Sequence, residues 1–106
     1  MSSDAATFVW FVPADHPAFP GHFPGRPILP GVVLVDRAIL FAREWLCDPG
    51  TGCRVASAKF FSPVGPADVL NFAFAAKTGG SVACAIHCGE RAVAALALAF
   101  SGQGKA

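Results

Sequence analysis

"PGHFPGRPILPGVVLVD", residues 20–36, decides the fold, because two incompatible kinds of backbone meet inside it. Up to Gly31 the stretch holds four prolines and three glycines around a lone His22. Proline fixes φ and withholds a donor, and glycine reaches conformations closed to other residues, so residues 20–31 form neither a helix nor a central strand. They form a shaped loop. From Val32 the punctuation stops, and "VVLVDRAILFAREWLC" (32–47) sets Val32, Val35, Ile39, Ala42 and Leu46 at helical spacing before "DPG" ends the pattern. One helix with a broad apolar side is expected, entered directly from the loop.

Working outward, "TFVWFVP" (7–13) is β-branched and aromatic and stops at a proline, which reads as a first strand. Residues 13–31 hold six of the nine prolines, an irregular run long enough in a small chain to suggest function. Past the helix the period falls to two in "CRVASAKFF" (53–61), "VLNFAFAAK" (69–77), "SVACAIHC" (81–88) and "RAVAALALAF" (91–100). The breaks are "SPVGPAD", "TGG" and "GE", the last two suited to tight hairpins. This order predicts an α+β fold, one central helix packed on an antiparallel sheet of about five strands. The small alanines of the later strands would let something pack closely against the sheet. The reading places a single domain over residues 1–106, with 1–6 and 102–106 expected to be flexible.

A chain of 106 residues buries about two-thirds of its unfolded surface. With 54% hydrophobic and 14% charged residues, that surface is hard to hide in a monomer, and an oligomer is expected. A net charge of +1 and the lack of any Lys or Arg run leave nucleic-acid binding without an electrostatic footprint. No apolar run approaches the roughly 18 residues of a membrane span, and "MSSDAATF" lacks the basic-then-apolar order of a signal peptide. A soluble, cytoplasmic protein with no membrane partner is the expectation. Cys47, Cys53, Cys84 and Cys88, with His87, raise the question of zinc. Strand alternation, however, puts Cys84 and Cys88 on one face and His87 on the other, so no metal is expected and the cysteines read as reduced, small hydrophobes.

Two polar residues stand out. Asp36 has Val32, Val33, Ile39 and Leu40 as its helical neighbours and no basic partner among them, which suits a carboxylate that donates a proton; a solvated Asp near a helix N-terminus is the plainer alternative. His22 reads either as a hydrogen-bonded loop residue or as a base. Its loop feeds the helix N-terminus, where the N–H groups of Gly31 and Val32 are available to a developing oxyanion and glycine lets a substrate approach the backbone.

"GHFPGRPILPGVVLVD" resembles the signature of the FabA/FabZ group of 3-hydroxyacyl-acyl carrier protein dehydratases, which have the hot-dog fold. The family pattern is GHFPGxPxxPGV with an acidic residue fourteen positions after the histidine, and His22 to Asp36 matches that spacing. Asp is the FabA-type choice there and Glu the FabZ-type. "AKFFSPVGPAD" (58–68) is similar to the later family segment ARFKRPVxPGD, with Ala67 in place of the glycine. The resemblance implies dehydration of a 3-hydroxyacyl thioester, carried on an acyl carrier protein, to a trans-2-enoyl thioester. It makes His22 the base at C2, Asp36 the group that protonates or positions the departing 3-hydroxyl, and the Gly31 N–H the donor to the thioester carbonyl. No metal or organic cofactor is implied. In the family the histidine and the acid meet across a dimer interface, so a homodimer, or a heterodimer with a related hot-dog chain, is expected; the loop's prolines and glycines would then hold His22 against the partner's helix.

The resemblance departs at the N-terminus, where family members carry a helix and a further strand ahead of the first strand seen here. A shorter or more open acyl tunnel is expected, as in compact relatives of aryl-polyene and polyketide clusters. Phe19, Phe23, Phe60 and Phe61 line that tunnel or pack the core. Arg26, Arg37 and Lys59 meet an acidic carrier or are solvated, and His16 reads as structural or exposed. Two other functions fit the same fold: an acyl thioesterase using a helix carboxylate and water, against which the His22 loop argues, and a non-catalytic acyl-binding subunit paired with an active dehydratase.

Overall fold

The computed structural model describes residues 4–19, 28–46 and 52–100. In chain order they form β1 (Ala5–Phe11), α1 (Gly31–Leu46), β2 (Cys53–Phe60), β3 (Val69–Ala76), a short 3₁₀ turn (Thr78–Gly80), β4 (Ser81–Cys88) and β5 (Arg91–Phe100). The strands make one five-stranded sheet in the order β1-β3-β4-β5-β2, with every neighbouring pair antiparallel. Both short breaks close hairpins as expected. "TGG" joins β3 to β4 and "GE" joins β4 to β5, with left-handed φ at Gly79 and Gly89.

Strand alternation sorts the sheet by size. On the inner face Leu70, Phe72 and Phe74 of β3, Val82, Cys84 and Ile86 of β4, and Leu96, Leu98 and Phe100 of β5 are buried. The alternate positions pair alanine with alanine across three strands, as in Ala73↔Ala85↔Ala95 and Ala75↔Ala83↔Ala97. The helix lies on the large-residue face, not on the alanines. Its ring contacts fix this, with Phe41 5.2 Å from Phe72 edge-on and Trp45 5.9 Å from Phe74.

The small residues needed for close packing come instead from α1, where Leu34, Ala38 and Ala42 are the buried positions. Of the expected stripe, Ala42 is buried and Val35, Ile39 and Leu46 pack against the core, whereas Val32 is corrected: it is 64% exposed and turns away. The spacing i, i+4, i+8 that reaches the sheet starts at Leu34, because alanines at 38 and 42 are small enough to let the helix approach phenylalanines. The positions two residues earlier on each turn, Val32, Asp36 and Leu40, therefore face away.

Beyond α1 the sheet ends in an edge strand. β2 pairs only with β5 among the described strands, carries a register shift between Val55 and Ser57, and is exposed at every position after Cys53. Cys84 behaves as the small buried hydrophobe expected of it, and burial pushes its thiol up to about 12. Cys53 is raised as well, by burial, with the charge of Arg43 opposing. Cys47 lies outside the described residues.

Candidate active site

The N-terminus of α1 opens onto a cavity of about 620 Å³. One wall is Ile28, Leu29, Gly31 and Val32, and the other is the run from Phe60 to Val64 that leaves β2. One hydrogen bond joins the walls, Leu29 N–H donating to the Val64 carbonyl at 2.8 Å, and another ties the second wall to β5, Phe61 N–H donating to the Val93 carbonyl at 2.8 Å. At its tightest, the Phe60 ring lies over Gly31 so closely that a Cβ there would meet two ring carbons at 2.9 Å. Glycine at 31 thus admits an aromatic edge to the helix end, the same close approach expected for a substrate.

Pro30 turns the chain into the helix, its carbonyl accepting from the Val33 N–H at 3.0 Å. The N–H groups of Gly31 and Val32 belong to the first turn, which has no intrahelical acceptors for them, and they carry the positive end of the helix dipole. Asp36 is exposed and sits one turn beyond Val32 on the outward face, with Leu40, itself 56% exposed, one turn further. Val32 belongs both to this face and to the cavity wall. The helix-end donors thus lie at the cavity, and the Asp36 carboxylate stands one helical turn from its wall, outside the residues that line it. His22, Phe23 and Arg26 lie outside the described residues.

The aromatic residues separate. Phe60 and Phe61 are 51% and 57% exposed and line the cavity, whereas Phe19 is buried with the core. A turn at His16 folds Phe19 inward, with Phe19 N–H donating to the His16 carbonyl at 3.0 Å. His16 is structural and half-buried: its Nδ1 accepts from the Ala18 N–H at 3.0 Å, and its ring meets Trp10 and Phe19 edge-on. Arg37 lies flat against Trp10, 4.7 Å from the ring centre, and Lys59 is exposed on β2.

Sequence reasoning missed Ile28, Leu29 and the Ser62–Val64 wall. The prolines in "SPVGPAD" mark a break but not which cavity the break faces. The unusual Ala67 in that segment has a structural meaning, since its φ of +67° is the only left-handed value at a non-glycine residue among those described. The position asks for the glycine that the family pattern has.

A family model described as ApeI-like, ApeI dehydratase, matches residues 1–96. A 3-hydroxyacyl-[acyl-carrier-protein] dehydratase FabZ of Rhizobium rhizogenes is 30% identical over 95 residues, 82% of this chain and 60% of that protein. A FabZ of Paramagnetospirillum magneticum is 32% identical over 79 residues, 66% of this chain and 49% of its own length. The chain thus spans about half to three-fifths of these curated relatives. Among solved structures, the dehydratase heterocomplex ApeI:P from Xenorhabdus doucetiae superposes with a TM-score of 0.80 at 21% identity, covering 92% of this chain and 87% of that one. The fluoroacetyl-CoA thioesterase FlK superposes with a TM-score of 0.60 at 17% identity, covering 94% and 87%. These likenesses establish the hot-dog fold.

Proposed function

The chain belongs to the ApeI-like dehydratase family, and from that premise we propose that it removes water from a 3-hydroxyacyl thioester borne on an acyl carrier protein, giving a trans-2-enoyl thioester. The observation that carries this reading is that Asp36 stands one helical turn from Val32, a residue of the cavity wall, on the outward face of α1. An acyl chain has an apolar place to lie, its thioester carbonyl has N–H donors at the helix end, and its 3-hydroxyl has a carboxylate within one helical turn of that cavity.

In this mechanism the imidazole of His22 takes a proton from C2, and the electron pair moves toward the thioester carbonyl, whose oxygen the Gly31 N–H stabilises. The electrons then return to form the C2–C3 double bond as the C3–O bond breaks. Asp36 holds the departing hydroxyl and supplies the proton that makes it water. Transfer of a proton from His22 to Asp36 restores the starting state. The site is shared, His22 of one protomer facing Asp36 of its partner, because Asp36 stands on an exposed apolar face that a second hot-dog chain would cover. The open edge of β2 offers the strand along which the two sheets join.

Mixing two inactive variants tests this. His22→Ala and Asp36→Asn each should lose about 10²-fold or more in rate. A mixed dimer restores one intact site, so co-refolding at equal ratio gives about half mixed dimers and about a quarter of wild-type activity. Mixed dimers seen by mass spectrometry yet inactive would rule out the shared site. Release of free thiol in place of enoyl product would identify a thioesterase, and a chain that stays monomeric alone would require a related partner chain.

A further inference from the structure

The cavity wall opposite α1 is held by a side chain that takes no part in the proposed chemistry. Arg91 opens β5, and its Nη1 donates to Ser62 Oγ at 2.8 Å and to the Pro63 carbonyl at 2.7 Å. Its Nη2 lies 3.4 Å from Asp68 Oδ2. Each partner is itself committed. Ser62 Oγ spends its proton on the Ala92 carbonyl at 2.7 Å, so it faces Arg91 as an acceptor. Asp68 Oδ2 also accepts from the Gly65 N–H at 2.8 Å, and the Asp68 carbonyl accepts from Val12 N–H at 2.9 Å. One guanidinium thus ties both ends of the 62–68 loop to β5, and two of its three partners, Ser62 and Pro63, line the cavity.

We propose that Arg91 is a positioning residue that sets the distance between the Ser62–Pro63 wall and α1, and thereby which acyl chain lengths the cavity accepts. The proposal rests on the acyl-thioester reading of the cavity. Phe60 touches the Gly31 end, where the thioester would bind, and the wall runs on from it through Phe61 to Ser62 and Pro63. A short acyl chain ends near Phe60, and a long one runs along the wall that Arg91 holds. The planar guanidinium suits the task because its donors are fixed relative to one another, whereas an ammonium offers one point of charge.

Calorimetric binding of non-reactive butanoyl- and dodecanoyl-pantetheine thioethers tests it, alongside kcat and KM for the matching 3-hydroxyacyl thioesters. Arg91→Ala should weaken dodecanoyl binding about fivefold, the scale of losing partly exposed charge-assisted hydrogen bonds, while butanoyl binding and kcat on the short substrate stay within about twofold. Arg91→Lys should recover part of the loss. A residue serving stability alone would lower Tm and move both ligands equally, and that outcome, or no change in either ligand, overturns the proposal. Ser62→Ala keeps the arginine but removes one acceptor, so it should shift the same preference in the same direction; if Arg91→Ala does not fold, an unchanged ratio in Ser62→Ala overturns the proposal. A wild type that binds both thioethers but dehydrates neither substrate defeats the proposed reaction and leaves this inference to be decided by the binding ratio. A wild type that binds neither thioether overturns it.

Discussion

The two sides of α1 differ in polarity and in exposure, the sheet side wholly apolar and the outer side alternating Val32 and Leu40 with Asp36 and Glu44. Toward the sheet, Leu34, Ala38 and Ala42 share a sealed cluster with Phe72 and Phe74. Away from it, Val32 and Leu40 are more than half exposed on either side of Asp36. The inner side is finished within one chain, since small residues on the helix match large ones on the sheet. The outer side exposes Val32 and Leu40, apolar residues that favour cover, beside the carboxylates of Asp36 and Glu44. A single amphipathic helix thus serves as core on one side and carries half of the proposed shared site on the other.

The comparison breaks first if the inner side is not sealed. Burial pushes the Cys84 thiol up to about 12, so its thiolate should be far scarcer than that of a free thiol at pH 8. Peptide mapping after iodoacetamide should find Cys84 unmodified in folded protein and modified in urea. Equal labelling in both would show that the cluster opens. The same shift has a stability consequence: folded pKa above unfolded means the contribution is complete below pH 9 and is lost as pH rises toward 12.

A smaller effect sharpens the contrast of sizes. Ala38 is fully buried, and Ala38→Leu adds three carbons where the helix meets the sheet, which should cost about 2 kcal/mol in urea denaturation. Leu40→Lys on the opposite side should leave protomer folding nearly unchanged but weaken the proposed dimer about tenfold or more, read by light scattering across a dilution series. Reversal of the two results would place the interface and the core on the wrong sides of α1.

How legible this was varies along the chain. All five strands and the helix can be read from "TFVWF", "VVLVDRAILFAREWL" and the four later alternating runs, because period and punctuation are local. The line of deepest burial on α1 was less legible: Val35, Ile39, Ala42 and Leu46 pack against the core as their spacing implies, but Val32, as apolar as they are, turns outward while Leu34 and Ala38 lie deepest. Which positions lie deepest depends on the phenylalanines of β3, thirty residues and more away along the chain. The candidate site divides similarly. Gly31, Val32 and Asp36 are adjacent in sequence and on one helix, but the opposite wall comes from residues 60–64, held by Arg91, and no local pattern pairs "SP" with an arginine after a hairpin turn.

Ala67→Gly should have the smallest effect and serves as a control on the comparison. Ala67 is exposed, with a φ of +67°, and its N–H donates to the Val12 carbonyl at 3.0 Å, so the loop geometry holds it in a region that disfavours a Cβ. Left-handed backbone costs an alanine about 1 kcal/mol, and the greater freedom of glycine in the unfolded chain cancels part of that gain. A net stabilisation of about 0.5 kcal/mol is expected, a rise of about 2–4 °C in Tm by calorimetry. Because residue 67 lies on neither side of α1, the dimer constant should not move with it. If it did, stability alone would be setting it, and the effect assigned to Leu40 would lose its claim to be specific.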